Sequence, residues 1–156
     1  MTNNVILRSI RYMLDVREEE LVKITLLGGM EVPLDAIQDF LLNEEDANYL
    51  ECPDDVMACF LDGLVIHRRG RENNHPRPPL EVPMTNNIVL KKLRVAFTLR
   101  EDDILHILED ENFRVGRAEL SALFRKPDHQ NYRVCGDQLL RNFLKGLTAR
   151  ARGKSV

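Results

Sequence analysis

The chain contains itself twice. Met1-Thr2-Asn3-Asn4 returns as Met84-Thr85-Asn86-Asn87, and one gapless offset of 83 then carries almost the whole length. Leu7 falls on Leu90, Arg11 on Arg94, Ile24 on Ile107, Asn48-Tyr49 on Asn131-Tyr132, Cys52 on Cys135 and Asp54 on Asp137. The strongest agreement is Phe60-Leu61-x-Gly63-Leu64 against Phe143-Leu144-x-Gly146-Leu147, and 20 of 70 aligned positions are identical. A unit repeated in this way buries its apolar face against its neighbour, so a duplication constrains the fold more than any composition does. The predicted division is residues 1–70 as one unit, 71–83 as a connector and 84–156 as the second unit. Pro76, Pro78, Pro79 and Pro83 predict an extended, semi-rigid connector, because proline removes donors and fixes φ.

Each unit reads as four helices, each copy checking the other. Leu7, Ile10 and Leu14, like Leu90, Leu93 and Phe97, fall at i, i+3 and i+7, one stripe of a first helix. Asn3-Asn4 and Asn86-Asn87 are read as its N-caps. Asp15-x-x-Glu18 and Thr98-x-x-Glu101 are read as capping boxes opening a second helix, which stops near Gly29 and Asn112, residues that tolerate left-handed backbone. A third helix is expected over 34–43 and 117–126, and a fourth over 54–68 and 137–150. Gly63 and Gly146 sit inside the fourth helix, where glycine costs up to about 1 kcal/mol relative to alanine. Their presence in both copies predicts a close helix crossing. No segment sustains β-alternation, so the fold class is all-α: two tandem four-helix repeats related by an approximate two-fold and packed through their apolar faces.

The two copies differ most in charge. Residues 1–70 hold 6 Lys and Arg against 14 Asp and Glu, net −8, whereas residues 84–156 hold 14 against 9, net +5. One explanation is attraction between the halves, within a chain or head-to-tail between chains. The other is an anion-binding second half. Arg117, Ser121 and Arg125, at i, i+4 and i+8, form a positive stripe with Arg114 and Lys126 nearby, and these five are the candidate nucleic-acid contacts. The first copy has Leu34, Gln38 and Leu42 there, flanked by Asp35 and Asp39, which repel phosphate. A helix-turn-helix is disfavoured, because residues 28–33 exceed the short turn that motif uses.

Chemistry-bearing motifs are scarce. Cys52 and Cys135 are equivalent, yet Cys59 faces Asn142, no C-x-x-C occurs, and His67, His75, His106 and His129 occupy unrelated positions. Buried thiols explain these cysteines better than a metal does. The acids Glu18-Glu19-Glu20 and Glu101-Asp102-Asp103 suit a helix N-terminus electrostatically. No nucleophile elbow or phosphate-binding glycine loop is present. Among charged residues kept in both copies, Arg11 and Arg94 are expected to pair with Asp54 and Asp137, with Tyr49 and Tyr132 capping the network. The functional alternative for these six is a twin ligand site. Three cysteines without a secretory segment point to a reducing cytoplasm, and the arginine-broken segment 5–14 is too short and charged for a membrane span.

These residues carry a resemblance. Asn-Asn-x-x-Leu-[Lys/Arg]-x-x-Arg at 3–11 and 86–94, with Cys-x-Asp and Phe-Leu-x-Gly-Leu in each half, resembles the YehS-like family over nearly the full length. The resemblance implies an all-helical bacterial cytosolic protein carrying a tandem domain of unknown function, with no activity, cofactor or functional residue to transfer. The resulting expectation is a non-enzymatic binding or regulatory module, without metal or cofactor, acting through a protein partner or self-association. The alternative is nucleic-acid binding by the basic repeat.

Overall fold

The computed structural model describes residues 1–70 and 79–153. Within them the chain forms α1 (Asn3–Leu14), α2 (Glu18–Leu27), α3 (Leu34–Phe40) and α4 (Asp54–Arg69), then α5 (Asn86–Ala96), α6 (Glu101–Asp110), α7 (Arg117–Leu123) and α8 (Asp137–Ala151). All regular structure among the described residues is helical. The connector expected over 71–83 falls partly outside them, at residues 71–78.

The two repeats exchange helices. α4 lies on α2, and α8 on α6, within their own repeats. α1, however, packs chiefly on α8 and α5 on α4, with each first helix touching its own fourth helix only lightly. The pattern is reciprocal, as an internal two-fold requires. One continuous core results, in which Leu7, Ile10, Phe60 and Leu64 join Leu90, Leu93, Phe143 and Leu147. Phe60 and Phe143 are 1% and 0% exposed, so the equivalent aromatics are equally buried in this core.

Backbone exceptions recur at the repeat offset as well. Asp15 and Thr98 both have φ 54°, Gly29 and Asn112 have φ 108° and 59°, and Gly70 and Gly153 have φ 81° and 69°. The first pair corrects the sequence reading. Asp15 and Thr98 do not open the second helix; they are the left-handed stops that follow the first, at α1's C-cap and just past α5's. α2 and α6 start after Arg17 and Arg100, and in α6 it is Asp103 that reaches back to the Arg100 N–H at 2.7 Å. The first helices, likewise, are capped by the Thr2 and Thr85 hydroxyls, each accepting from the amide three residues on at 3.2 Å, and not by the asparagines.

α3 and α7 are one turn shorter than expected. Leu41 and Leu42 close α3 with short-range bonds to Gln38 and Asp39, and the returning loop then donates Leu50 N–H to Asp39 O at 3.3 Å. The second repeat repeats this with Arg133 N–H and Ala122 O at 3.1 Å. Each loop is thereby laid along its short helix, and helix and loop together form a lobe.

The mid-helix glycines mark the predicted crossings. A Cβ on Gly63 would stand 1.7 Å from the Ile24 carbonyl oxygen, and one on Gly28 1.6 Å from that of Cys59, so α2 and α4 touch backbone to backbone. In the second repeat Gly28 becomes Glu111, and the crossing is wider. A Cβ on Gly146 would meet Ile107 Cγ2 at 2.7 Å and Ile107 O at 2.8 Å.

Candidate functional site

The charged and polar residues shared by both repeats hold the fold together. Asn4 Nδ2 donates to Phe40 O at 3.0 Å and Leu50 O at 2.8 Å, while its Oδ1 accepts from Cys52 N–H at 3.0 Å. Asn87 makes the same three bonds to Leu123, Arg133 and Cys135. Asn3 and Asn86 reach the adjacent Cys52 and Cys135 carbonyls and, at 2.8 and 2.7 Å, the Asp54 and Asp137 carboxylates. The Asn-Asn pair is therefore a staple from the first helix to the loop before the fourth.

Asp54 and Asp137 link the repeats. Asp54 Oδ2 accepts from the Met84 N–H at 3.0 Å, and Asp137 Oδ1 accepts from the Met1 amine at the same distance. The Met84 amide and then Asn3 hold the Asp54 carboxyl below its ordinary range. For Asp137, Asn86 and then the amino terminus do the same.

The expected pairs of Arg11 with Asp54 and of Arg94 with Asp137 do not form. Asn3 anchors Asp54 at the start of α1, and Arg11 lies eight residues further along, about 12 Å at the helical rise. Arg11 instead donates Nε to Val16 O at 3.2 Å and lies 3.5 Å from Glu18. Arg94 donates to the equivalent Leu99 O at 3.3 Å and stacks on Phe124. Both arginines thus brace the turn into the next helix. The tyrosines sit elsewhere, in the lobe loops, with amides bonded to Asp46 O and His129 O. The structure does not bring the six residues together as one site.

What differs between the repeats is gathered on the lobes. Residues 34–51 carry Asp35, Asp39, Glu44, Glu45, Asp46 and Glu51 and no Lys or Arg. None of these six is in an ion pair among the described residues. Partial burial, then Glu44 and Glu51, raise the Tyr49 phenol above its ordinary value. Leu34 and Leu50 are exposed and Leu42 half-buried among these acids. In residues 117–134 the same three positions are Arg117, Arg125 and Arg133, all exposed. The Leu50/Arg133 pair escapes inspection of α3 and α7 alone; the backbone bonds of the returning loops bring it onto the lobe.

The basic stripe is not bare. Arg117 is paired with Asp102, the Ser121 hydroxyl donates to Glu101 at 3.3 Å, and Arg133 lies 3.5 Å from Glu119. Arg125 contacts His129 at 3.4 Å, while Arg114 and Lys126 are exposed. Arg125 and Arg133 share a shallow concavity of about 440 Å³ with Ser121 and Asn131. The candidate anion stripe is therefore interleaved with carboxylates.

All three cysteines are reduced and buried. Burial first, then neighbouring aspartates, push the Cys52 thiol up to about 12 and Cys135 up to about 11. Among the described residues no three His, Cys, Asp or Glu side chains converge as a metal site, and no helix is long and apolar enough to cross a membrane.

Comparison with known proteins agrees with the duplicated architecture. No solved structure matches the chain significantly. An uncharacterized protein, YehS, of Escherichia coli strain K12 is 47% identical over 154 residues, covering 99% of both chains. The model of a family described as protein of unknown function (DUF1456) matches residues 3–70 and again 86–153. With each match enclosing one set of four helices, the chain belongs to this family of unknown function and carries its domain in tandem.

Proposed function

We propose that the protein is a non-enzymatic interaction module of the cytoplasm that binds protein partners, copies of itself included, through its two outer lobes. One observation supports this reading most directly. The leucines at 34, 42 and 50 all become arginines at 117, 125 and 133, while the core beneath and the Asn-Asn staple are kept. Drift of an idle surface scatters; here one face changes class as a unit, from apolar and acidic to cationic. Leucines ringed by carboxylates suit a partner with an apolar centre and a basic rim, and arginines suit the converse.

Nucleic-acid binding through Arg114, Arg117, Ser121, Arg125 and Lys126 has weaker support. Glu101 and Asp102 already engage Ser121 and Arg117 of this stripe, Glu119 is paired with neighbouring Arg133, and all three carboxylates would face the phosphates.

Photo-crosslinking in native lysate tests the proposal. A benzoylphenylalanine replaces Gln38 on the first lobe, Ala118 on the second, or Lys145 on α8 as an off-lobe control. The expected result is discrete protein adducts at 38 and 118 that resist nuclease and fade in high salt. Adducts equally abundant at 145, or adducts to nucleic acid alone, overturn it.

A further inference from the structure

Resting on that reading of the lobes, a more specific partner follows. We propose that the acidic leucine lobe of one copy receives the arginine lobe of another, so that chains associate head to tail. The two lobes share a backbone frame, each a short helix with a loop tied back along it by one equivalent hydrogen bond. Their chemistry is complementary at the same three positions. Arginine stems lie along Leu34, Leu42 and Leu50, while the guanidinium heads reach the surrounding carboxylates. Six carboxylates with no cation of their own segment meet four cations whose segment holds two carboxylates, with Glu101 and Asp102 of α6 alongside.

The existing ion pairs of the arginine lobe do not oppose this. Arg117 and Asp102 are 67% and 61% exposed, Arg133 and Glu119 63% and 55%, and pairs this open to water are weak, so exchange of partners is cheap. A single copy does not satisfy its own lobes. α3 packs on α2 and α7 on α6, while the repeats meet through α1 with α8 and α4 with α5. The contact is heterologous, and it grows into chains unless two copies close a ring.

Sedimentation velocity of the full chain at about 0.1 M and about 1 M salt tests the proposal, since the Debye length falls from about 10 Å to about 3 Å between them. Two blocked variants sharpen it. One carries Leu42→Lys, Glu45→Lys and Asp46→Lys; the other carries Arg117→Glu, Arg125→Glu and Arg133→Glu. All six positions lie on the lobes, and circular dichroism confirms each fold. The expected result is association of the natural chain that weakens at least tenfold at high salt. Each blocked variant alone stays monomeric. Their equimolar mixture forms one species of twice the monomer mass and nothing larger, because only one competent lobe of each kind remains. A natural chain monomeric at low salt, a mixture that stays monomeric, or association indifferent to the blocks overturns the head-to-tail contact. Should lobe-specific crosslinks to other proteins persist in a monomeric chain, the self-contact falls and the interaction reading stands. If both vanish, both fall.

Discussion

Gly63→Ala is the most discriminating single substitution for the fold. The added Cβ would stand 1.7 Å from the Ile24 carbonyl oxygen, against an ordinary contact of about 3.4 Å. The obstacle is backbone, so α2 and α4 separate by about 1.7 Å. α2 is 10 residues long, about 15 Å at the helical rise, and with a contact width of about 8 Å the opened volume is about 200 Å³. At about 24 cal/mol per Å³ this costs about 5 kcal/mol. Alanine's better helix propensity returns about 1 kcal/mol, leaving a net loss of about 4 kcal/mol. At Gly146 the nearest obstacle is Ile107 Cγ2 at 2.7 Å, so the required shift is about 0.7 Å and the same arithmetic leaves a loss of about 1 kcal/mol. Urea denaturation of the full chain, followed by helical circular dichroism, measures both. Gly63→Ala losing no more stability than Gly146→Ala would refute the close-crossing account.

Other outcomes follow from the shared polar contacts. Asn4→Ala strands the buried Cys52 N–H and two carbonyls and lowers stability by about 3 kcal/mol in the same assay, with Asn87→Ala close behind. Because folding depresses the Asp54 and Asp137 carboxyls, their contribution is complete above the ordinary aspartate value of about 4 and is lost as pH falls below it. Stability measured from pH 6 down to pH 2.5 therefore declines, and Asp54→Asn flattens the decline. The native thiols react with iodoacetamide at pH 8 at least about a hundredfold more slowly than in urea, since burial keeps Cys52 and Cys135 protonated and shielded.

Much of the architecture is legible in the sequence because the duplication supplies an internal control. Gly63 and Gly146 announce a close crossing only when seen together, and Gly29 with Asn112 identifies a left-handed stop because both residue types tolerate it. Long-range partners are not legible in the same way. Asn3 and Asn4 look like caps, since asparagine suits a helix start. Their bonds run to residues 36 to 51 positions away, brought within reach only by the packed loop. Arg11 and Asp54 share the pattern of retention in both copies, yet that pattern carries no distance along the helix. The helix exchange is equally hidden. Two first helices with matching apolar stripes suit either fourth helix, and sequence periodicity does not choose between them. The lobes are half-visible: Leu34/Arg117 and Leu42/Arg125 follow from helix spacing, whereas Leu50/Arg133 depends on a loop hydrogen bond.

The sharpest trial gives the first lobe the second lobe's chemistry. A chain carrying Leu34→Arg, Leu42→Arg and Leu50→Arg, with the crosslinker at 38, is compared with its parent for melting temperature and adducts. Substitutions on the surface shift stability by about 0.5 kcal/mol each, so a Tm within about 5 °C of the parent is predicted, together with loss of every protein adduct at 38. Undiminished adducts, or a chain that no longer folds, would show that the leucine face is not a separable binding surface.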